Sequence, residues 1–479
     1  MNLTSVLEVF INRVPGETRL ALTESGRLKN LIITSDGDES LVGNIYLGRV
    51  EKIIAGMNAA FVDIGLGVSG FLAANDGQIF DSNKENPRLI KALFKEGDAV
   101  LVQVVRDGTN GKGAKLTTRI ELVGRTIVSV LGRAGVSISK SILDKTFRER
   151  IKYALNNFDN SLSGLIVRTK AQSVSIESLQ KEATNLLDQM TKVLSKKEET
   201  RPPACLYKQP DQFLIFLRDF GSSDWSRIII DDRATLLKTI NFVTNYVPEL
   251  EKIIEFADDH VALFDTYDLD QQIANLFESV ITLPSGGRLI IEETQALVAV
   301  DVDSGIYNRD NDPETFARSV NEEASIELAR QIVLRNLSGQ FVVDFLPMKR
   351  KHSREHIRSV LSRSLDKEGN YNIYGFSKLG LLEMTRQRIG ESLGSRFHEK
   401  GNHSMTIRAI VIDMIRIILR EINRNPGKKL TIKCSHEIYV CLKVDMKTTW
   451  TELLDRIGPI ISVEKISNSS RDYFELRAI

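Results

Sequence analysis

The sequence predicts a multidomain protein of the α+β class. At 479 residues the chain exceeds what one ordinary hydrophobic core supports, so several domains are expected. Short alternating strands are concentrated between residues 43 and 122, whereas longer helices alternate with apolar strands between residues 279 and 400. Two such different patterns in separate parts of the chain indicate separate folding units.

The composition excludes several broad classes of protein. A formal net charge of +1 gives no global attraction for nucleic acid, so any polyanion site must come from local clustering. Three cysteines, Cys205, Cys434 and Cys441, show no metal-ligand spacing, and their odd number argues for a reducing, cytoplasmic compartment. No signal peptide is expected, and the longest apolar segment, from Met405, is interrupted by charges. It is predicted to be an amphipathic helix, so no membrane span is expected.

The first half of the chain predicts a barrel followed by a mixed segment. The runs "NIYLGRVEKII", "NAAFVDIG", "SGFLAA", "AVLVQVVRD" and "AKLTTRIEL" are five strand candidates with polar loops, a pattern typical of a small OB-type barrel. After it, "GLIVRT" is a strand candidate, and the helix that begins near Ser175 should end at "RPP" (201–203). The segment 212–278 does not close as a separate core, so it is expected to pack on the N-terminal strands.

The segment from 279 to 400 predicts a strand, helix, strand unit. Two strands in "LPSGGRLIIEETQALVAVDV" precede a long helix, for which Asp312 is the expected N-cap and Pro313 the first helical residue. Gly339 stands where a C-terminal stop is expected, and the strand "FVVDF" follows. The last part, from about residue 404, is expected to form a small α/β domain.

An aspartate follows each of two apolar strands in this segment. Asp301 ends one strand, Asp344 ends the next, and the helix between them is the crossover that parallel strands need. If the strands are parallel, both carboxylates lie at one edge of the sheet, where strands ~4.8 Å apart allow them to share a small cation. Magnesium is the metal that prefers one or two carboxylates with waters and phosphate oxygens.

Asp303, two residues after Asp301, should point to the same face. It is a candidate further ligand or a group that holds a metal-bound water. The structural alternative for all three aspartates is that they cap turns or the next helix, and the pattern alone leaves both interpretations open.

Aromatic and basic residues in the predicted barrel suggest contacts with nucleic acid. Phe61 and Phe71 lie in adjacent strands, and Lys112 and Lys115 lie in and after a glycine-rich turn. Aromatic rings on an OB-fold face stack bases, and lysines in its loops meet phosphates. The alternative is that both phenylalanines belong to the barrel core.

Further basic residues are candidates for phosphate contacts. Arg168 and Thr169, side by side, could hold a phosphate group, although a surface arginine near a turn is the alternative. The cluster "MKRKHSREHIR" (348–358) and the pair Arg386 and Arg388 are candidates for binding a polyanion, or simply solvated surface. Four histidines show no spacing typical of a metal site: His352, His356, His398 and His403.

Together these stretches resemble the catalytic half of the RNase E/G family of bacterial endoribonucleases, closer to its short, RNase G-like members. The resemblance covers nearly the whole chain. It is most specific in "LPSGG", "AVDVDSG", "NEEASIELARQIVLRNLSGQFVVDF" and "GLLEMTRQR", in that order.

The resemblance implies a specific domain architecture. An RNase H-like domain is split over residues 1–36 and 212–278, with an inserted OB-fold RNA-binding domain at 37–122 and a 5′-sensor domain at 123–211. A DNase I-like catalytic domain follows at 279–403, and a small domain at 404–479.

The resemblance also implies roles for individual residues. Asp301 and Asp344 match the magnesium-binding aspartates, and Asp303 stands where the family usually has Asn. The RNA-contacting positions of the OB-fold domain match Phe61, Phe71 and Lys112. The pocket that senses a 5′-monophosphate matches Gly124, Val128, Arg168 and Thr169.

One departure concerns the link between subunits. The family normally carries a C-P-x-C segment after "ESLG", whose cysteines from two subunits share a zinc ion, but here the chain reads "SRFHEKGNHS". Zinc is therefore not expected, and a homodimer without that link is the predicted alternative assembly.

The function that follows is a magnesium-dependent endoribonuclease, with Mn²⁺ as the alternative metal, acting on single-stranded mRNA or rRNA precursors. It should leave 5′-phosphate and 3′-hydroxyl ends, favour 5′-monophosphorylated RNA, and serve RNA processing or decay. The alternatives are a non-catalytic RNA-binding paralogue and a metal phosphatase or other phosphodiesterase. The OB-fold and the basic clusters favour a polymer substrate over a small one.

Overall fold

The computed structural model describes residues 6–37, 40–77, 89–108, 111–156, 163–257, 262–305, 312–365, 370–388, 390–399, 404–425, 427–467 and 469–478. The strands, in chain order, are β1 Leu7–Val14, β2 Glu17–Glu24, β3 Arg27–Ser35, β4 Ile45–Ile54, β5 Ala59–Asp63, β6 Gly70–Ala73, β7 Ala99–Arg106, β8 Lys115–Thr117, β9 Glu121–Val123, β10 Ile127–Leu131, β11 Val136–Ile138, β12 Ser163–Val167, β13 Ala204–Tyr207, β14 Trp225–Ile230, β15 Ile254–Phe256, β16 Val280–Thr282, β17 Arg288–Glu293, β18 Val298–Asp303, β19 Gly339–Asp344, β20 Tyr371–Phe376, β21 Leu382–Arg386, β22 Leu430–Cys434, β23 Ile461–Lys465 and β24 Phe474–Ala478. The α-helices are α1 Ile90–Leu93, α2 Lys145–Leu155, α3 Ile176–Glu199, α4 Gln212–Phe220, α5 Arg233–Tyr246, α6 Leu263–Thr266, α7 Leu269–Ala274, α8 Pro313–Leu334, α9 Lys351–Leu365, α10 Leu393–Phe397, α11 Ile407–Arg424, α12 His436–Val440 and α13 Lys447–Ile457.

The chain forms two compact units. The first comprises residues 1–36, 224–236 and 253–479, and the second comprises residues 37–223 and 237–252. Both mix helices and strands, which confirms the α+β class. The finer domain boundaries implied by the resemblance stay predictions.

In the first unit, the N-terminal strands pair with strands from much later in the chain. The sheet order is β15-β14-β1-β2-β3, and β1 runs parallel to β14 with Phe10 opposite Ile229. Buried side chains such as Phe10 and Ile229 belong to the core on this sheet. A discontinuous segment therefore completes the N-terminal sheet.

The second sheet of this unit carries the predicted aspartates. Its order is β16-β17-β18-β19-β21-β20, and β18 and β19 are parallel, as the crossover helix predicted. Buried residues of β18 and β19, among them Val300 and Val343, share one core with Leu328 of α8 and Ile357 of α9. Because side chains alternate along a strand, the residues between these buried positions point to the opposite face.

The crossover helix begins as predicted but ends earlier. Asp312 is the N-cap, and its carboxylate accepts a hydrogen bond of 3.2 Å from the backbone N of Thr315. The predicted stop at Gly339 is wrong, because α8 ends at Leu334 and Asn336 takes the left-handed conformation with φ 49°. Asn tolerates this conformation, so the chain turns there and Gly339 instead begins β19.

The C-terminal part of the first unit packs the amphipathic helix against a small sheet. The sheet order is β23-β22-β24, and buried Ile415 of α11 and Ile432 of β22 share its core. In the described part of the chain, no helix is long and apolar enough to cross a membrane.

The second unit contains the predicted barrel. Strands β4-β5-β6-β8-β7 are joined in that order, and the additional pairing of β4 with β7 closes five strands into a barrel. The last predicted run divides, because β8 stays in the barrel while β9 joins the sheet β11-β12-β10-β9. Helix α3 packs on that second sheet through buried residues such as Leu179 and Leu186, and it ends at Glu199, before "RPP" as predicted.

Candidate functional site

Asp301 and Asp344 face each other across the parallel strands. They are register partners, Asp301 two residues before the end of β18 and Asp344 at the end of β19, and both are exposed. Neighbouring strands lie ~4.8 Å apart, so the two carboxylates are within reach of one small cation. Neither has a hydrogen-bond or ion-pair partner among the residues that the structure describes. This pair is called the carboxylate edge.

Local sequence explains why the two carboxylates share a face. Val300 and Val302 of β18 and Val343 of β19 are buried against the helices. With a side-chain period of two, Asp301 and Asp344 must then project to the other face. The apolar residues thus fix the position of the acids.

Asp303 lies on the same face but is engaged elsewhere. It is the register partner of Arg288 in the antiparallel β17–β18 hairpin, and the Arg288 guanidinium donates to its carboxylate. This hydrogen bond, with a second of 3.1 Å from the backbone N of Gly305, holds the pKa of Asp303 below its usual range. No group of three or more His, Cys, Asp or Glu side chains in the described ranges is arranged to hold a metal. Asp303 is therefore not gathered with the carboxylate edge as a third protein ligand.

The donor set of the carboxylate edge fits magnesium. Mg²⁺ typically takes one or two carboxylates, keeps several waters and binds substrate phosphates, rather than filling an all-protein cage. Two exposed carboxylates in register match that requirement. Asp301 and Asp344 are the residues that would hold such an ion.

The basic candidates near the end of β19 differ in exposure. Lys349, Arg350 and Lys351 are exposed, a few residues beyond Asp344. The predicted phosphate ligand Arg386 is instead 6% exposed and donates to the Asn336 side chain at 3.1 Å and to the Leu337 carbonyl at 2.8 Å.

The prediction that Arg386 binds a polyanion does not fit its burial. Its guanidinium is used to join β21 to the end of α8, so it does not reach a bound polymer. Arg388 is exposed, so it stays a candidate.

The histidines do not assemble a metal site in the described structure. His356 contacts Glu322 at 3.0 Å, and His398 packs edge-on against the Phe277 ring with centroids 5.1 Å apart. His403 lies outside the described residues.

Two aromatic side chains lie together on the outside of the barrel. Phe61 of β5 and Phe71 of β6 are register partners, and their rings meet edge to face with centroids 6.0 Å apart. Both are half-buried, whereas their neighbours Ala60, Val62 and Leu72 fill the barrel core. These phenylalanines therefore lie outside the barrel core, and their stacking against bases stays a prediction.

The two lysines extend this surface in different ways. Lys115 is the register partner of Phe71 and pairs with Asp76 at 3.0 Å, while Lys112 is exposed. Between them, Gly113 is required for close approach, since a Cβ there would lie 1.8 Å from the Ser69 carbonyl oxygen. The loop is thereby held against β6, with Lys112 in solvent.

Arg168 of the second unit is anchored by hydrogen bonds to other segments of that unit. Its backbone N donates to the Thr126 carbonyl at 2.7 Å, and its guanidinium donates to the Gly124 carbonyl at 2.8 Å and to Asp219 at 3.3 Å. The neighbouring Thr169 hydroxyl is exposed, 3.4 Å from the Ser139 hydroxyl. Gly124, Arg168 and Thr169 thus lie close together, and their surroundings are called the Arg168 pocket. Their role in sensing a 5′-monophosphate stays a prediction.

Val128, also predicted for this pocket, lies within the antiparallel pair of β10 and β12. It is half-buried in β10, opposite Ile166 of β12. Its strand runs directly after the turn that contains Gly124.

Asp219 organises the cations of this pocket. Its carboxylate accepts hydrogen bonds from Arg218 at 3.0 and 3.2 Å in addition to the contact with Arg168. Burial opposes its ionisation, but the hydrogen bonds and charges of Arg218 and Arg168 outweigh burial and lower its pKa. Lys170 lies nearby, over the Phe220 ring at 5.6 Å.

A buried carboxylate supports the turn under the pocket. Glu182 of α3 is 7% exposed and accepts hydrogen bonds from the backbone N and the hydroxyl of Thr126. Its burial raises its pKa, against the opposing effect of those hydrogen bonds. A Cβ at Gly124 would lie 2.1 Å from this carboxylate, so glycine is needed there.

Sequence reasoning missed Arg288, Asp219 and Glu182. A signal existed for Arg288, because the hairpin "RLIIEETQALVAVDVD" places its first and last charged residues opposite each other. Asp219 and Glu182 are brought to the Arg168 pocket by tertiary packing, for which the sequence carries no periodic signal.

Comparison with known proteins identifies the family. The model of the ribonuclease E/G family matches residues 121–389. Together with full-length relatives, this match shows that the chain belongs to the ribonuclease E/G family, as predicted.

Within the family, the chain is similar to ribonuclease G over its full length. Ribonuclease G of Salmonella typhimurium is 32% identical, with 98% of this chain and 99% of the relative covered. Ribonuclease G of Haemophilus influenzae is 33% identical over 86% of this chain and 87% of the relative. Ribonuclease E of Escherichia coli is 34% identical over 80% of this chain but only 37% of its own length.

Proposed function

We propose that this chain is a divalent-metal-dependent endoribonuclease that cleaves single-stranded RNA in RNA processing or decay. The observation that carries the proposal is the register of exposed Asp301 with exposed Asp344 on two parallel strands. Membership of the ribonuclease E/G family and similarity to proteins named ribonuclease G and ribonuclease E support RNA as the substrate.

In this proposal the carboxylate edge holds Mg²⁺, with Mn²⁺ as a substitute. When bound, such an ion supplies charge stabilisation to a phosphodiester and lowers the pKa of a coordinated water. Asp301 and Asp344 fix the position of the ion and leave its remaining coordination positions to water and phosphate. The exposed Lys349, Arg350 and Lys351 attract the RNA backbone. Hydrolysis leaves 5′-phosphate and 3′-hydroxyl ends.

The barrel surface provides a binding site for single-stranded RNA. Phe61 and Phe71 offer ring faces to unpaired bases, and Lys112 offers its charge to the backbone. Stacking of this kind tolerates any base, which suits an enzyme that acts on many transcripts.

The Arg168 pocket favours RNA with a 5′-monophosphate. Arg168 and the Thr169 hydroxyl are donors suited to a terminal phosphate. Arg168 is already oriented by the Gly124 carbonyl and Asp219, so a phosphate meets a positioned guanidinium.

The test uses the purified full chain and two labelled single-stranded RNAs that differ only in a 5′-monophosphate or a 5′-hydroxyl. Each is incubated with Mg²⁺ or with a chelator, and end mapping identifies the termini. We expect internal cuts that require Mg²⁺ and are faster on the monophosphorylated RNA. The double variant D301N/D344N should bind RNA without cutting it.

Two results would change the proposal. Full cleavage by D301N/D344N would remove the carboxylate edge from the mechanism. Binding without any cleavage by the unmodified chain, with Mg²⁺ and with Mn²⁺, would favour the non-catalytic RNA-binding alternative.

A further inference from the structure

Asp301, Asp303 and Asp344 lie on one sheet face, and among the described residues Asp303 is the one of these three with an ion-pair partner. Asp301 and Asp344 are register partners, and Asp303 is paired with Arg288 across the hairpin. The Arg288 and Asp303 side chains are 54% and 36% exposed, so the pair sits at the surface beside the carboxylate edge.

The distance along the strand makes this pair electrostatically relevant. Asp303 follows Asp301 by two residues, which is roughly 6.6 Å along an extended strand. An added or removed unit charge at that distance changes cation affinity by about threefold to tenfold when water and salt screen it. Arg288 therefore decides whether these three aspartates present a neighbouring cation with a net charge of −2 or −3.

We infer that Arg288 is a positioning residue that sets the cation affinity of the carboxylate edge, by neutralising Asp303 and turning it away from the metal. This inference rests on the proposed function. With a net charge of −2, the edge binds a hydrated cation only moderately, which leaves the ion free to gain ligands from a phosphate.

The alternative is that Arg288–Asp303 is only a cross-strand pair that stabilises the sheet. Such pairs contribute through side-chain contact wherever they occur. A matched control exists in the same unit, because Arg227 of β14 and Glu8 of β1 are also register partners, with an Arg227 Nε to Glu8 distance of 2.6 Å.

The experiment measures Mn²⁺ binding to the full chain by the loss of the free-ion paramagnetic resonance signal, without RNA. The variants are R288Q, D303N, R288Q/D303N and R288K, with R227Q as the control. We expect about threefold to tenfold tighter binding in R288Q, a similar weakening in D303N, and near-native binding in the double variant and in R288K. R227Q should leave Mn²⁺ affinity unchanged.

The outcomes separate this inference from the proposed function. If native Mn²⁺ binding is lost in D301N/D344N but R288Q changes it no more than R227Q does, the role of Arg288 is overturned while the metal site stands. If R288Q binds more tightly and D303N does not reverse that effect in the double variant, charge balance within the pair is refuted. Native protein without saturable Mn²⁺ binding would overturn both proposals.

Discussion

The carboxylate edge and the Arg168 pocket prepare charged groups for ligands in opposite ways. Asp301 and Asp344 are exposed and lack partners among the described residues. Arg168, in contrast, already donates to a carbonyl at 2.8 Å and to a carboxylate at 3.3 Å. The carboxylate edge therefore presents oxygens without partners among the described residues, whereas the Arg168 pocket presents a guanidinium that already donates hydrogen bonds.

The difference follows from the ligand that each region is proposed to bind. A hydrated cation brings its own water ligands, so the protein needs only two fixed oxygens and open space. A terminal phosphate exchanges its water donors for donors from the protein, so an arginine that is already oriented suits it. Loss of a carboxylate should therefore abolish chemistry, whereas loss of the guanidinium should alter substrate choice.

The largest effect is expected at the carboxylate edge. D344N should lower kcat/KM for RNA cleavage by about 10³-fold or more, because a cation loses charged coordination and with it several kcal/mol of transition-state stabilisation. Thermal unfolding should shift little, since the carboxylate has no partner among the described residues.

A control on the same sheet face is E292Q, which should retain activity within about threefold because Glu292 lies opposite Ala299, away from the strand ends. Native kcat/KM in D344N would show that the edge is not the cation site.

A smaller and more selective effect is expected at Arg168. R168Q should lower the cleavage rate of 5′-monophosphorylated RNA by about tenfold to a hundredfold, the loss of a charge-assisted hydrogen bond worth about 1.5–3 kcal/mol. Cleavage of the 5′-hydroxyl RNA should not change. Equal losses on both substrates would mean that R168Q acts through stability, which a thermal melt would reveal.

An opposite and modest effect is expected at Asp219. D219N should raise the preference for 5′-monophosphorylated RNA by about twofold to fivefold, because Arg168 loses its competing carboxylate. The measurement is the ratio of cleavage rates on the two RNAs. A fall in that ratio would show instead that Asp219 is needed to hold Arg168 and Arg218 in place.

The smallest effect concerns stability and pH. Glu182 has a raised pKa because it is buried, so the folded state binds its proton more tightly than the unfolded state does. Its contribution to stability is present below the unfolded pKa and is lost as pH rises through the folded pKa.

Urea unfolding between pH 4 and pH 8 should therefore show the native chain losing stability relative to E182Q as the pH rises. A difference between the two proteins that does not vary with pH would contradict the raised pKa.

The carboxylate edge was predictable because it depends only on the strand, helix and strand that follow one another in the sequence. Two apolar strands and one crossover helix imply parallel pairing, and parallel pairing places Asp301 beside Asp344. The end of α8 was misjudged because Asn336 could replace glycine in the turn. Arg386 was misjudged because a basic run gives no information on which guanidinium a tertiary contact will bury.

The partner of Arg168 shows where sequence reasoning ends. Asp219 reaches Arg168 only through packing of α4 near the turn at Gly124, over 51 residues of chain separation. The family resemblance predicted a role for Arg168, but it did not reveal which acid holds its guanidinium. Sequence patterns specify faces and edges well, and they specify long-range ion pairs poorly.

The alternation along β18 and β19 also limits how these strands can change in length. Val300 and Val343 point into the core while Asp301 and Asp344 point out of it. A single-residue insertion or deletion in either strand would exchange these faces, burying a carboxylate and exposing a valine in one step. The lengths of these two strands are therefore constrained by the faces that their side chains must keep.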